Sequence, residues 1–157
     1  MPHSKNYHRV ISTNRKAKYN YFIEETYEAG MVLTGSEVKS LRSNKVSIEE
    51  AYICELEGEL WLQNAYIATY SEANRLNHDT HRLRKLLLHK KEINKIIGSL
   101  IKNGMTLIPL TLYFNKKNLA KLSIAIAKGK KLHDKRQTIK DRDWQREKAR
   151  IHKQNNI

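Results

Sequence analysis

The hydrophobic positions of this chain change period several times. Ile93, Ile96, Ile97, Leu100 and Ile101 recur at i, i+3, i+4, i+7 and i+8, the stripe of an amphipathic helix. Lys90, Lys91, Lys95 and Lys102 lie off that stripe, and Asn103-Gly104 supplies a stop. The spacing predicts a helix near 90–103. A shorter one is predicted near 35–42. Thr34 and Glu37 stand there at capping-box spacing, with Ser36 as a rival cap. Val38 and Leu41 would face inward, and Lys39 and Arg42 outward.

Elsewhere the pattern is that of strands. Residues 19–25 (YNYFIEE) and 27–34 (YEAGMVLT) are β-prone, with Gly30 marking a bulge or a close approach. Residues 50–57 and 59–68 alternate about Gly58 and predict a hairpin. Residues 106–114 and 119–127 predict another, turning at 115–118, with Pro109 at an edge or a bulge. Residues 83–88 (LRKLLL) fit either a short strand or a lead into the long helix. Residues 1–18 lack periodicity and read as a flexible basic arm, and 70–82 as a polar loop. Six or seven short strands with two helices predict a mainly β fold with flanking helices: a small OB-like β-barrel over 19–127.

The pattern fails after Ala127. In residues 128–157 the apolar residues are Leu132, Ile139, Trp144, Ala149, Ile151 and Ile157, spaced without a helical stripe, among 11 Lys/Arg and 4 Asp/Glu. Such a tail buries too little apolar surface to offset its ordering entropy. It is expected to be disordered when free and helical when bound to a polyanion. Arg142, Arg146 and Arg150 lie four apart and would line one side of that helix, with Lys153 one turn on. Their mutual repulsion favours the helix where phosphate neutralises them.

Charge sharpens this picture. The 157 residues hold 30 Lys/Arg against 16 Asp/Glu, a net +14, and half of that excess sits in the tail. Nucleic acid or an anionic membrane surface is the partner such a chain suits. No apolar run approaches the roughly 18 residues of a membrane span, so a cytoplasmic protein with no membrane partner is expected. The single Cys54 excludes an intramolecular disulfide and a multi-cysteine zinc site; within its apolar alternation it reads as a small buried residue.

Basic clusters recur at 15–18, 39–45, 82–91, 116–121 and 128–153, near Tyr19, Tyr21, Tyr52, Trp61, Tyr66 and Tyr113. Basic groups hold phosphate and aromatic faces stack exposed bases, although most of these rings read as core. Arg15, Lys16, Lys18, Lys39, Arg82, Arg84 and Lys85 are the candidate phosphate contacts. Metal chemistry has little support. His78-Asp79-Thr80-His81 with His89 reads as a polar loop, with no cysteine pair or HExxH helix beside it. Glu37-Val38-Lys39 has the E-x-K form of some metal-dependent nucleases but falls on a helix. GxSxG, P-loop and Rossmann glycine patterns are missing. No metal, cofactor or catalytic residue is expected.

Three segments carry a family resemblance: NRKAKYNYFIEETYEAGMVLTGSEVKSLR (14–42), RLRKLLLHKKEI (82–93) and KGKKLHDKRQTIKDRDWQREKARI (128–151). In order and spacing they resemble the bacterial SsrA-binding protein family. The resemblance implies an OB-like barrel that is not an enzyme. It would bind the tRNA-like part of transfer-messenger RNA (tmRNA) and bring it to stalled ribosomes for trans-translation. It implies RNA contacts at Asn14, Glu28 and Leu87. A carboxylate at 28 would accept from a base edge, a ribose hydroxyl or a basic side chain. The tail would fill the vacant decoding centre and mRNA channel, in contact with ribosomal RNA. His133 in GKKLHDKR would meet decoding-centre bases. Lys128, Lys130, Lys131, Asp134, Lys135, Arg136, Lys140, Arg142, Asp143, Arg146 and Arg150 complete that set. A monomer is expected. The rival readings are a structural ribosomal protein whose basic extension threads ribosomal RNA and an RNA-processing enzyme.

Overall fold

The structure, a computed structural model, describes residues 9–70 and 77–155. The first half of the expected arm and the centre of the expected 70–82 loop lie outside the described residues. In chain order the elements are β1 (Arg9–Thr13), α1 (Ala17–Asn20), β2 (Tyr21–Met31), α2 (Gly35–Arg42), β3 (Val46–Ser47), β4 (Tyr52–Leu56) and β5 (Glu59–Gln63). There follow β6 (Tyr66–Ile67), β7 (Arg84–Leu87), α3 (Lys90–Asn103), β8 (Thr106–Phe114), β9 (Ala120–Gly129) and α4 (Leu132–Asn155).

Seven strands form an antiparallel sheet in the order β1-β8-β9-β2-β7-β5-β4, and β3 pairs with β6. The far strand β4 returns beside β8, curling the sheet into a barrel. Mainly β architecture with flanking helices is therefore what the chain adopts. The two strands read at 19–25 and 27–34 are one continuous β2, bulged between Ile23 and Glu25. Residues 9–18 are not a loose arm. β1 pairs with β8, and α1 adds one helical turn.

Alternation sets the interior. Ile53, Leu60, Leu62, Leu86, Leu122, Ile124 and Ile126 point inward with Leu41, Ile48 and Phe114. The side chains of Leu60, Leu62, Leu86, Leu122 and Ile124 are fully buried, each contributing about 1.5–3 kcal/mol over an exposed position. Ile93 and Ile96 of α3 join this core, whereas Ile101, on the same predicted stripe, is 78% exposed beyond it.

Local chemistry fixes the turns. Thr34 Oγ1 accepts from the Glu37 N–H and Glu37 accepts from the Thr34 N–H, completing the capping box. Glu57 (φ 53°) and Gly58 (φ 79°) make the β4–β5 turn left-handed at both central residues. At the β8–β9 turn the Asn115 Oδ1 accepts from the N–H groups of Lys117 and Leu119. The register of β8 shifts between Pro109 and Thr111, so the proline sits beside a bulge as the sequence suggested.

The tail departs from expectation. α4 is one continuous helix of 24 residues in the chain alone. Its composition favours this: Gln, Lys, Arg, Glu and Ala are good helix formers. Local pairs add to it, Gln137 to Asp141 at 2.9 Å and Arg150 to Glu147 at 2.5 Å. Leu132, Trp144 and Ile151 remain exposed, so no packed face holds the rod.

Candidate nucleic-acid interface

The registers place the expected RNA residues on one outer face. Tyr113 pairs with Lys121, Lys121 with Gly30 and Gly30 with Leu87. Directly paired residues point to the same side of a sheet, so this row crosses four strands, β8, β9, β2 and β7. Glu28, Ser123 and Thr111 form the next row on the same side. Leu87 stands half-exposed there. A Cβ on Gly30 would lie 3.3 Å from the Leu87 Cβ, so glycine permits the close approach. Gly30→Ala is expected to cost about 1–3 kcal/mol through overpacking, read as a lower thermal midpoint; an unchanged midpoint would show that Leu87 simply yields.

Glu28 is exposed and accepts a hydrogen bond from the Tyr113 hydroxyl. That partner, on the neighbouring row of β8, was not foreseen. It fixes the carboxylate and leaves it acceptor capacity toward solvent. Lys121 stands one row away and was missing from the expected contacts. The signal for it was available: Leu122, Ile124 and Ile126 point inward, so Lys121 must point out.

The basic segment 14–18 lies on the same outer face. Ala17 packs on Ile108, Ala125 and Ala127, with Tyr21, Ile23 and Leu110 around it. Asn14 fastens this segment: its N–H donates to Leu110 O (2.8 Å) and its Nδ2 to Pro109 O (3.0 Å). Both carbonyls belong to the β8 bulge. Asn14 thus positions the segment, and Arg15, Lys16 and Lys18 are exposed around it.

Arg84 is a correction. Its side chain is fully buried, so it offers nothing to phosphate. Alternation explains this, since Arg84 shares a side with Leu86 while Lys85 and Leu87 face out. The guanidinium donates to Glu37, to Ala65 O (2.8 Å) and to Thr80 O (3.1 Å). Arg82 joins the hub, donating to Glu37 Oε1 (2.6 Å) and Val32 O (3.1 Å). Glu37 is fully buried. Burial by itself pushes its carboxyl up, but hydrogen bonds from Arg82, the Thr34 N–H and Arg84 outweigh it and hold the group below the usual range. Burial pulls Arg84 down, against the opposing pull of Glu37. Glu37, the first residue of the E-x-K triplet, is thus the centre of a structural ion cluster. Lys39 stands apart on α2, its Nζ 5.2 Å from the Tyr70 ring centre. Lys85 is partly exposed on the outer face, 3.9 Å from Glu59.

His78 has a structural role, and Cys54, expected to be buried, is half-buried on the outer row beside Trp61. His78 has both ring nitrogens in contact, Nδ1 with Ser36 Oγ (2.9 Å) and Nε2 with Ile67 O (3.0 Å). Among the described residues no three His, Cys, Asp or Glu gather as a metal site. Burial pushes the Cys54 thiol up from its ordinary value.

The tail is rooted on the basic segment. Lys130 Nζ donates to Lys18 O and to Thr138 Oγ1, both at 2.8 Å, and lies 4.8 Å from the Phe22 ring centre. Lys135 Nζ lies 5.6 Å from the Tyr19 ring centre. Lys130 and Lys135, expected among the ribosome contacts, are therefore engaged at the root. Lys128, Lys131, His133, Arg136, Lys140, Arg142, Asp143, Arg146 and Arg150 are exposed, and Asp134 is half-buried.

A small basic β-barrel with one cationic outer face and a protruding cationic helix is the build of a nucleic-acid-binding protein. Comparison with known families narrows the class. Residues 11–154 match the model of the SmpB protein family, and the chain belongs to that family. An SsrA-binding protein of Wolbachia pipientis subsp. Culex pipiens is 60% identical over 146 residues, 93% of this chain and 98% of the relative. One from Afipia carboxidovorans is 58% identical, covering 91% of each. A solved chain described as "tmRNA-SmpB: a journey to the center of the bacterial ribosome" is 47% identical, with TM-score 0.63, over 76% of this chain and 84% of that one. No helix among the described residues is long and apolar enough to cross a membrane.

Proposed function

We propose that this protein binds the tRNA-like part of tmRNA with its outer barrel face and delivers it to stalled ribosomes for trans-translation, where α4 occupies the vacant decoding centre and mRNA channel. The observation that carries this reading is the sheet register. It gathers Glu28, Lys121 and Leu87 beside the basic segment 14–18, in a chain whose relatives are named for binding SsrA. Arg15, Lys16, Lys18, Lys85 and Lys121 supply charge to phosphate. Glu28 accepts from a ribose hydroxyl or a base edge, and Leu87 packs against apolar RNA surface. The protein needs no catalytic group for this work; it binds and positions.

His133, 76% exposed on the first turn of α4, can stack on a base and hydrogen bond to it. Lys128, Lys131, Arg136, Lys140, Arg142, Arg146 and Arg150 line the rod for contact with ribosomal RNA. Asp143 supplies an acceptor on it, and Asp134 accepts from the Lys131 N–H at 3.3 Å at its start.

The test is recovery of the protein from its own cells with its bound RNA. One dominant tRNA-like species is expected; ribosomal RNA alone would support the structural ribosomal-protein reading instead. Binding to that RNA in vitro should weaken steeply with salt. With roughly five phosphates contacted, the slope of log K against log salt should be about −3 to −5. A slope near zero would remove the electrostatic account.

A further inference from the structure

The outer face continues past Leu87 into a region that the proposed RNA contacts do not use. Lys85 pairs with Trp61 and Trp61 with Cys54; one row further, Gln63 pairs with Tyr52. Alternation along β7 puts Leu83, Lys85 and Leu87 on one side. The Tyr52 row is therefore on the same face as Glu28 and Lys121, at its other end. Here Tyr52, Gln63, Asn64, His81 and Leu83 line an open depression of about 600 Å³. We propose that this depression is a stacking shelf for an unpaired base of the bound RNA. The proposal rests on the reading of the outer face as RNA-binding.

Three aromatic rings stand in the open. Tyr52 is 50% exposed and Tyr66 41%, and His81 is exposed with its ring centre 5.6 Å from that of Tyr66, tilted by 50°. Core packing does not explain the two tyrosines, because the inward positions of their strands are held by Ile53 and Ile67. The backbone is braced at His81 and beside Tyr52. The His81 N–H donates to Asp79 Oδ1 (2.9 Å), and Asn64, at φ 57°, donates from Nδ2 to Glu50 O (3.1 Å). Gln63 Nε2 is tied to Cys54 Sγ at 2.8 Å. A shelf whose backbone is held in this way loses little freedom on binding.

The polar groups complete the case for a base. Gln63 Oε1, Asn64 Oδ1 and His81 Nε2 make no hydrogen bond to the described residues. An amide oxygen accepts from an exocyclic amine, and an imidazole nitrogen donates to or accepts from a base edge. A flat ring with polar edges matches rings flanked by amides. An aliphatic peptide side chain would leave those amides unpaired. The depression is broad enough to accept different bases, as stacking sites do.

The experiment uses the full chain and two RNAs of equal charge, a stem with an unpaired loop and a fully paired duplex, over a salt series. Tyr52→Ala and His81→Ala are expected to weaken binding of the looped RNA about 5- to 100-fold each. The log–log salt slope should not change, because no phosphate contact is removed. Duplex affinity should be unaltered, and Tyr52→Phe should bind like the wild type. 2-Aminopurine in the loop should lose fluorescence on binding the wild type and keep it with Tyr52→Ala. An intact thermal transition for each variant excludes misfolding. Equal losses on loop and duplex, or none on either, overturn the shelf. Wild-type protein that binds neither RNA defeats the outer-face reading itself, a distinct outcome. Strong binding of an apolar peptide at Tyr52, with RNA affinity untouched by the variants, assigns the shelf to protein and also overturns the proposal.

Discussion

Truncation after Gly129 is expected to abolish rescue of stalled ribosomes while leaving the barrel folded. The core draws on strands and on α2 and α3, and none of its members lies in α4. The thermal transition should persist within a few degrees. Affinity for the tRNA-like RNA should fall by less than about tenfold, the part due to non-specific attraction of the removed charge. In a reconstituted assay of peptide tagging on ribosomes lacking a codon, activity should drop to background. Tagging at the full rate by the truncated chain would refute the role given to α4. Loss of the thermal transition would instead make the helix part of the fold.

Glu37→Gln should produce the largest loss of stability of any single polar change. It leaves the buried Arg84 guanidinium without its counter-charge and weakens the hold on Arg82. Breaking a buried pair from one side costs about 3–5 kcal/mol, or about 6–20 °C in Tm for a domain of this size. The pH dependence has a defined sign. The carboxyl is held below its unfolded value of about 4.3. Its contribution is therefore complete above that pH and is lost as pH falls through the lower folded value. The wild type should lose stability on acidification in that window, and Glu37→Gln should show a shallower decline. A variant that melts with the wild type, with the same acid profile, would show the cluster to be energetically idle.

The sequence made some parts of this molecule plain and hid others, for identifiable reasons. The long helix was legible because Ile93 and Ile96 repeat at helical spacing, and the capping box because Thr34 and Glu37 carry its side-chain chemistry. β1 was hidden. RVIST is short and has little alternation, and its partner β8 lies about a hundred residues away. Arg84 was misjudged because charge outweighed parity: in LRKLLL the arginine stands two before a core leucine, which is an inward position. Its buried partner Glu37 was concealed by having a second, local role in the cap. Lys121 was recoverable from alternation alone. The face that brings it beside Glu28 and Leu87 was not, because register between distant strands is set by long-range pairing. The aromatic shelf needed the fold, since sequence alone could not separate Tyr52 from a core ring.

The unbroken course of α4 has a geometric consequence. A helix turns about 100° and rises about 1.5 Å per residue, so positions 7, 11 and 18 residues apart return to nearly the same azimuth. His133, Lys140, Trp144 and Ile151 therefore form one meridian along a length of about 27 Å. Arg142 falls opposite this meridian, and Arg146 and Arg150 follow at about 140° and about 100° from it. One meridian thus carries an imidazole, an ammonium, an indole and an aliphatic group, while Leu132 and Ile139 lie on the side of Arg146 and Arg150. Because Lys130 fastens its base to Lys18 and Phe22, the barrel sets the angle at which that meridian faces outward. One residue inserted after Thr138 would keep the root contacts and the charge of the rod, lengthen it by only about 1.5 Å, and turn every group beyond it by about 100°.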